Sequence, residues 1–291
     1  MEASAITNVL LPLALGVIMF GLGLSLTVED FRRVAVYPRA VVAGLALQML
    51  VLTAAAFGVA KLFGLAPELA VGLMLLAASP GGATANIFSH LARGDVALNI
   101  TLTAINSALS LLWLPFVVNA SLDHFVGRDQ YIPPPFAKIV EVAAIIVLPV
   151  VIGMVVRGRA PGFARRMERP IRVFAVIFLA LLVAGAIAQE WKTLGPALAA
   201  VGLACLAFNL ISLAVGYAAP LALKLPNRQA IAIAMEIGIH NGTLAIFIAL
   251  NLLKSSPMSL APAIYSLIMF VTAAIFVFVL ARRHAPAAAQ A

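Results

Sequence analysis

Apolar residues in this chain run in blocks of about twenty, with the polar residues gathered between the blocks. A helix that spans a bilayer needs roughly 20 mostly apolar residues. Windows of that size lie at about 5–25, 38–60, 67–91, 96–120, 137–156, 171–189, 194–223, 228–252 and 259–281. The pattern predicts an all-α polytopic membrane protein with nine transmembrane helices in a single membrane domain over 1–291. The longest polar connection, about 121–136, carries Pro133, Pro134 and Pro135 and reads as a stiff external loop, with Tyr131 and Phe136 at the membrane interface. The closing APAAAQA is a low-complexity tail.

Two windows are interrupted in their middle. In LLAASPGGATANIFSHLARGD, Pro80, Gly81 and Gly82 sit inside the third window, and Thr84 and Asn86 follow at once. Proline removes a backbone donor and glycine weakens helix, so the span is expected to break there. In MEIGIHNGTLAIF, Gly238 and Gly242 bracket His240 and Asn241 in the eighth window. Unwound backbone at membrane depth is tolerated only where it is buried in protein or lines a wet cavity. Breaks at corresponding positions of two halves point to a transporter binding site. The halves do correspond: Gln48 precedes Pro67 by 19 residues and Pro67 precedes Asn86 by 19, while Asn209 precedes Pro226 by 17 and Pro226 precedes Asn241 by 15. The second and seventh windows enter from opposite sides, so the repeat is expected to be inverted.

Composition agrees with the pattern. With 64% hydrophobic and 10% charged residues, the chain has too little polar surface to cover a soluble globule of its length. Its net charge of +8 is unevenly spread. Fourteen of the 19 Lys and Arg residues fall on alternate connections and the C-terminus, which puts the N-terminus outside and the C-terminus in the cytoplasm of a cell membrane, plasma or inner. The basic excess is thus a topology signal, not a nucleic-acid surface. Cys205 stands alone in an apolar run and reads as a small buried hydrophobe. The N-terminus lacks a basic region followed by a cleavage site, so its first apolar block reads as a retained span.

Glu236 and His240 lie four residues apart inside an apolar window, where ionisable groups pair with each other or mark an ion or substrate path. The order Glu-Ile-Gly-Ile-His does not make a zinc-protease motif, Gly-x-Ser-x-Gly is absent, and no Lys stands mid-span for a Schiff base. An enzyme is therefore not expected. A channel stays open as an alternative, separated from a transporter by whether flux saturates. Asn209 reads as a helix-packing hydrogen bond and the Gly16, Phe20, Gly23 spacing as packing; His90, His124 and His284 receive no chemistry.

PGGATANIFSHLARGDVALNITLT and MEIGIHNGTLAI, together with the early GVIMFGLGLSLTVEDFRRVAVYPRAVVAGLALQ, make the chain similar to the bile acid:sodium symporter family over most of its length. The resemblance implies a core domain (about 38–120 and 194–281) with two crossing broken helices, packed on a panel domain (about 5–25, 137–156 and 171–189). Ten-helix bacterial relatives have a helix before the IMFGLGL span, at which this chain is expected to begin. The resemblance also implies up to two Na+ ions. The first site maps to Ala85, Asn86, Asn99, Thr103 and Glu236, with Ala85 standing where the family has serine. The second maps to Gln48, Glu236, the carbonyls of Ile237 and Ile239, and His240, which stands where the family commonly has glutamine. Imidazole nitrogen is a poor partner for a hard cation, so the second site is expected to be weak, pH-dependent, or replaced by a protonated His240 paired with Glu236. The implied function is sodium-coupled import by alternating access of an organic anion, bile-acid-like or a small carboxylate such as pantoate. The anion is expected at the N-terminal ends of the second half-helices, at Gly82, Ala83, Thr84, Asn241, Gly242 and Thr243. A proton-coupled or sodium-independent transporter or exporter of the same fold is the other reading.

Overall fold

The computed structural model describes residues 10–82, 84–127 and 136–283. Ala83, the Pro133 to Pro135 run with Tyr131, and the tail after Arg283 lie outside the described residues. Among the described residues regular structure is helical. The windows expected from the sequence become α1 (Leu11–Ser25), α2 (Pro38–Leu62), α3 (Pro67–Ala78), α4 (Ala85–Leu91), α5 (Val96–Phe125), α6 (Phe136–Arg159), α7 (Pro161–Ala222), α8 (Asn227–Gly238), α9 (Gly242–Leu252) and α10 (Leu260–Arg283). Among the described residues, four helical segments are long and apolar enough to cross a membrane, and α1 with the bent Val28–Ala35 segment makes a fifth candidate.

Prolines set the starts. Pro38, Pro67 and Pro161 occupy the first turn of α2, α3 and α7, where a missing N–H costs nothing. Asp95 caps α5 by accepting from the Leu98 N–H at 3.1 Å. The third and eighth windows each become a 12-residue half-helix, α3 and α8, followed by a second piece. At 1.5 Å per residue a half-helix reaches about 18 Å, short of the roughly 30 Å hydrocarbon thickness.

The windows at 171–189 and 194–223 are joined in one helix, α7, of 62 residues. Gly195 and Pro196 lie inside it. Straight, such a helix would measure about 90 Å, roughly three bilayer cores. The polar residues Gln189, Glu190 and Lys192 mark where the apolar run stops, and all three are helix-compatible, so the helix continues through them. The helical elements therefore do not map one to one onto the nine windows.

Small residues let helices approach closely. A Cβ on Gly23 would strike the Val150 carbonyl, and one on Gly153 would strike the backbone of Phe20 and Leu24, so α1 and α6 touch backbone to backbone. These two helices also pack on α7, while α8 packs on α4, α5 and α7, and α10 packs on α3 and α7. Leu73, Leu75, Phe208, Phe247 and Tyr265 are among the fully buried large side chains. Leu13, Leu62, Leu112 and Val271 instead point outward, as lipid-facing residues do.

Candidate functional site

α3 stops because Ser79 precedes proline and is driven to an extended conformation (φ −72°, ψ 144°). α8 stops at Gly238, and Ile239 is likewise extended (φ −117°, ψ 93°). The two extended stretches lie antiparallel, with the Gly82 N–H donating to the Ile239 carbonyl at 2.9 Å and the Asn241 N–H donating to the Pro80 carbonyl at 2.9 Å. Asn241 then starts α9, its Oδ1 accepting from the Leu244 N–H at 3.0 Å. The two broken helices thus meet at their breaks, and part of the backbone freed by one break is satisfied by the other.

The carbonyl of Gly238 loses its intrahelical partner, since the Gly242 N–H donates to His240 instead. It is taken by two side chains from neighbouring helices, Asn209 Nδ2 at 2.9 Å and Tyr265 Oη at 3.0 Å. Thr272 Oγ1 donates to Asn209 Oδ1 at 2.5 Å and holds the amide in that orientation. Asn209 thus makes the packing bond expected of it, and the bond it makes holds the break.

Glu236 is 1% exposed in the last turn of α8. Its Oε2 accepts from Thr103 Oγ1 at 2.6 Å, and Thr103 sits one turn after Asn99 on α5. Asn99 Nδ2 donates to the Ala232 carbonyl at 2.7 Å, which fixes its amide so that Oδ1 is turned away from that bond. Among the residues expected at the first cation site, Asn86 Oδ1, Asn99 Oδ1 and Glu236 Oε1 are buried without a hydrogen-bond partner. Glu236 makes no ion pair among the described residues. Unpartnered buried polar atoms are costly and uncommon. A set of carboxylate, amide and hydroxyl oxygens suits a hard cation, so these residues fit a sodium ion. Ala85, the first residue of α4, is buried and has no side-chain oxygen to add.

Gly81 supplies a wall of this cluster. A Cβ there would overlap the carbon and both oxygens of the Glu236 carboxylate. Asn106 is also buried, and its Nδ2 has no hydrogen-bond partner. Neither was singled out as a ligand-side residue from the sequence; Gly81 was visible only as a helix breaker, and Asn106, one turn beyond Thr103 on the same face of α5, carried the signal of position.

Gln48 and His240 meet beside the break after α3. Gln48 falls in a π-helical turn, Leu47–Val51, within α2. Its Nε2 donates to the carbonyls of Ala77 and Ser79, each at 3.1 Å, and lies 3.4 Å from His240 Nδ1. His240 Nδ1 is 3.2 Å from the Ser79 carbonyl, and the imidazole packs between the rings of Phe208 and Tyr265. His240 and Glu236 therefore face different neighbours.

Gly82, Thr84, Asn86, Asn241, Gly242 and Thr243 line one cavity of about 500 Å³. Its opposite wall is formed by Ile18, Met19 and Leu22 of α1 and Ile171 and Leu179 of α7, and Arg157 of α6 also borders it. That volume lies within the usual range for small-molecule sites, about 300–1,000 Å³. Of the six residues expected to meet the anion, five share this cavity and Ala83 is outside the described residues.

Two half-helices joined at their breaks, unpartnered buried oxygens and a ligand-sized cavity suit a helical membrane transport protein. The chain belongs to the Sodium Bile acid symporter family, whose sequence profile matches residues 12–196. Across 254 residues it is 27% identical to YocS of Bacillus subtilis (strain 168), named as an uncharacterized sodium-dependent transporter, covering 87% of this chain and 77% of that protein. It is 25% identical over 280 residues to the ileal sodium/bile acid cotransporter of Oryctolagus cuniculus, covering 94% and 79%. The P3 protein of Mus musculus is 31% identical over 252 residues, which cover 84% of this chain and 52% of P3, so the chain spans about half of that relative's length.

Proposed function

We propose that the protein is a sodium-coupled secondary transporter that imports an organic anion across the cytoplasmic membrane. The observation that supports this reading is that Asn86 Oδ1, Asn99 Oδ1 and Glu236 Oε1, all from residues expected at the first cation site, are buried without a hydrogen-bond partner. A sodium ion held there by those oxygens and by Thr103 would neutralise the buried carboxylate. It would also leave the crossing more favourable to an anion in the adjoining cavity. Each ligand then lowers the free energy of binding the other by the same amount. Relatives named for sodium and for bile acid support the coupling and the kind of substrate, with a smaller carboxylate such as pantoate as the other candidate.

The proposed architecture has the N-terminus outside and two inverted repeats. The second half follows the first element by element: a helix, a left-handed residue two positions beyond its end, a 12-residue half-helix, a break, a second piece, and another left-handed residue two positions on. Those residues are Gly64 (φ 57°) and Arg93 (φ 61°) in the first half, Lys224 (φ 59°) and Lys254 (φ 51°) in the second. The panel is α1, α6 and the first part of α7; the core is α2 to α5, the rest of α7, and α8 to α10. The cavity lies between the two groups, so sliding the core against the panel would open it to one side and then the other.

A thermal-shift screen of organic anions in detergent, run in sodium and again in choline, tests the reading. A ligand that binds only the folded protein raises its melting temperature by mass action. At least one anion should stabilise the protein in sodium and fail to do so in choline. Equal stabilisation in both salts would remove the coupling.

A further inference from the structure

The two groups of expected cation donors are in different hydrogen-bonding states. In the first, three oxygens are unsatisfied. In the second, part of the set is already engaged: the Ser79 and Ile239 carbonyls and the Gln48 amide nitrogen have partners, while Gln48 Oε1 and His240 Nε2 have none. Gln48 presents its amide nitrogen, not its oxygen, to the carbonyls of Ala77 and Ser79, and two bonds use both hydrogens of that nitrogen. The 3.4 Å approach of Gln48 Nε2 to His240 Nδ1 is then not a third donated bond. Nδ1 therefore carries the ring hydrogen and donates it to the Ser79 carbonyl at 3.2 Å. That carbonyl accepts from Gln48 and from His240, which occupies both of its lone pairs. The Ile239 carbonyl is taken by the Gly82 N–H.

Side-chain packing closes what remains. The His240 ring stacks at 5.8 Å on Phe208, with 21° between the planes, and meets the edge of Tyr265 at 5.4 Å. All three rings are buried, so the imidazole is held in one orientation by apolar carbon. Among the side-chain atoms of Gln48 and His240, the two buried ones without a hydrogen bond are Gln48 Oε1 and His240 Nε2. One side-chain oxygen and one nitrogen, beside the Ile237 carbonyl whose helical donor Asn241 N–H goes to Pro80, are a poor set for a hard cation, which ligates through several oxygens. Glu236, the carboxylate both sites would share, is turned toward Thr103.

We infer that the second cation position at the crossing is closed in this chain by its own side chains, with the imidazole of His240 standing where an ion would be, so that the protein binds one sodium ion per transport cycle. The inference rests on the sodium-coupled reading above. One consequence is electrical: one Na+ carried with one monoanion moves no net charge, whereas two would carry a net positive charge inward.

Equilibrium dialysis of the purified full-length protein against radiolabelled sodium alone, at constant ionic strength in choline chloride, counts the ions directly. Wild type should saturate at one sodium per chain with a non-cooperative isotherm. His240→Gln restores an amide oxygen at the crossing and should raise the count to two. Two sodium ions per wild-type chain would overturn the inference and leave the sodium-coupled reading standing. No saturable sodium binding by wild type would overturn both. A folded His240→Gln protein that still binds one ion would overturn the role given to the imidazole. The wild-type count decides the stoichiometry even if that variant does not fold.

Discussion

Gly81→Ala is the substitution whose effect the geometry specifies most narrowly. The added methyl would overlap the Glu236 carboxylate. The backbone at position 81 is pinned on both sides by the bonds from Gly82 to Ile239 and from Asn241 to Pro80, so the carboxylate must move. A carboxylate is the far end of a flexible side chain, and the fold should survive its displacement. Moving it breaks the 2.6 Å bond from Thr103 and takes Oε1 out of the oxygen cluster. A hydrogen bond to a charged group contributes about 1.5–3 kcal/mol. At about 1.4 kcal/mol per decade, sodium affinity should fall by roughly 10- to 150-fold. The assay is a sodium titration followed by thermal shift in detergent. Gly72→Ala serves as the control, because a methyl there meets the Met258 backbone and not the Glu236 carboxylate. It should lower the melting temperature, with overpacking costing about 1–3 kcal/mol, and leave the sodium midpoint unchanged. A Gly81→Ala protein with the wild-type sodium midpoint would refute the placement of the ion at Glu236.

Three further substitutions probe the other parts of the site. Thr103→Val keeps the shape of the side chain and removes the donor to Glu236 Oε2, so sodium should bind at least about tenfold more weakly in the same titration; no change would exclude Thr103 from the cluster. Asn241→Ala removes the cap of α9, which should lower stability by about 1 kcal/mol and weaken stabilisation by any anion found at saturating sodium. Normal anion binding in that variant would move the substrate away from the crossing. Tyr265→Phe and Asn209→Ala both strip a donor from the Gly238 carbonyl and break the bond from Asn209 Nδ2 to Tyr265 Oη, so a double-mutant cycle on thermal stability should show a coupling of about 0.5–3 kcal/mol, and additive losses would mean that the two do not form one network on that carbonyl.

The breaks were legible in the sequence because they have local causes. Pro80 forbids continuation of α3, and the Gly238 to Gly242 stretch, with an amide cap between, ends α8 and starts α9. Asn86, Asn99 and Glu236 could be named as one cluster only through resemblance to a family, because they lie on three helices and no local rule brings them together. The aromatic box around His240 was not legible: Phe208 and Tyr265 look like any buried ring in an apolar window. The same holds for Gly81, whose wall function appears only when α3 and α8 are laid across each other. The junction in α7 failed to show as continuous helix for a different reason. Hydropathy reports where a chain leaves the apolar phase, and Gln189, Glu190 and Lys192 leave it without ending the helix.

The central claim, a sodium ion held by Asn86, Asn99, Thr103 and Glu236, is tested most directly by a structure determined with thallium(I) in place of sodium and located by anomalous scattering. The account predicts a single peak bounded by Asn86 Oδ1, Asn99 Oδ1 and Glu236 Oε1, lost in Glu236→Gln, with none between Gln48 and His240. A peak between Gln48 and His240, or one at the first cluster that persists in Glu236→Gln, would contradict it.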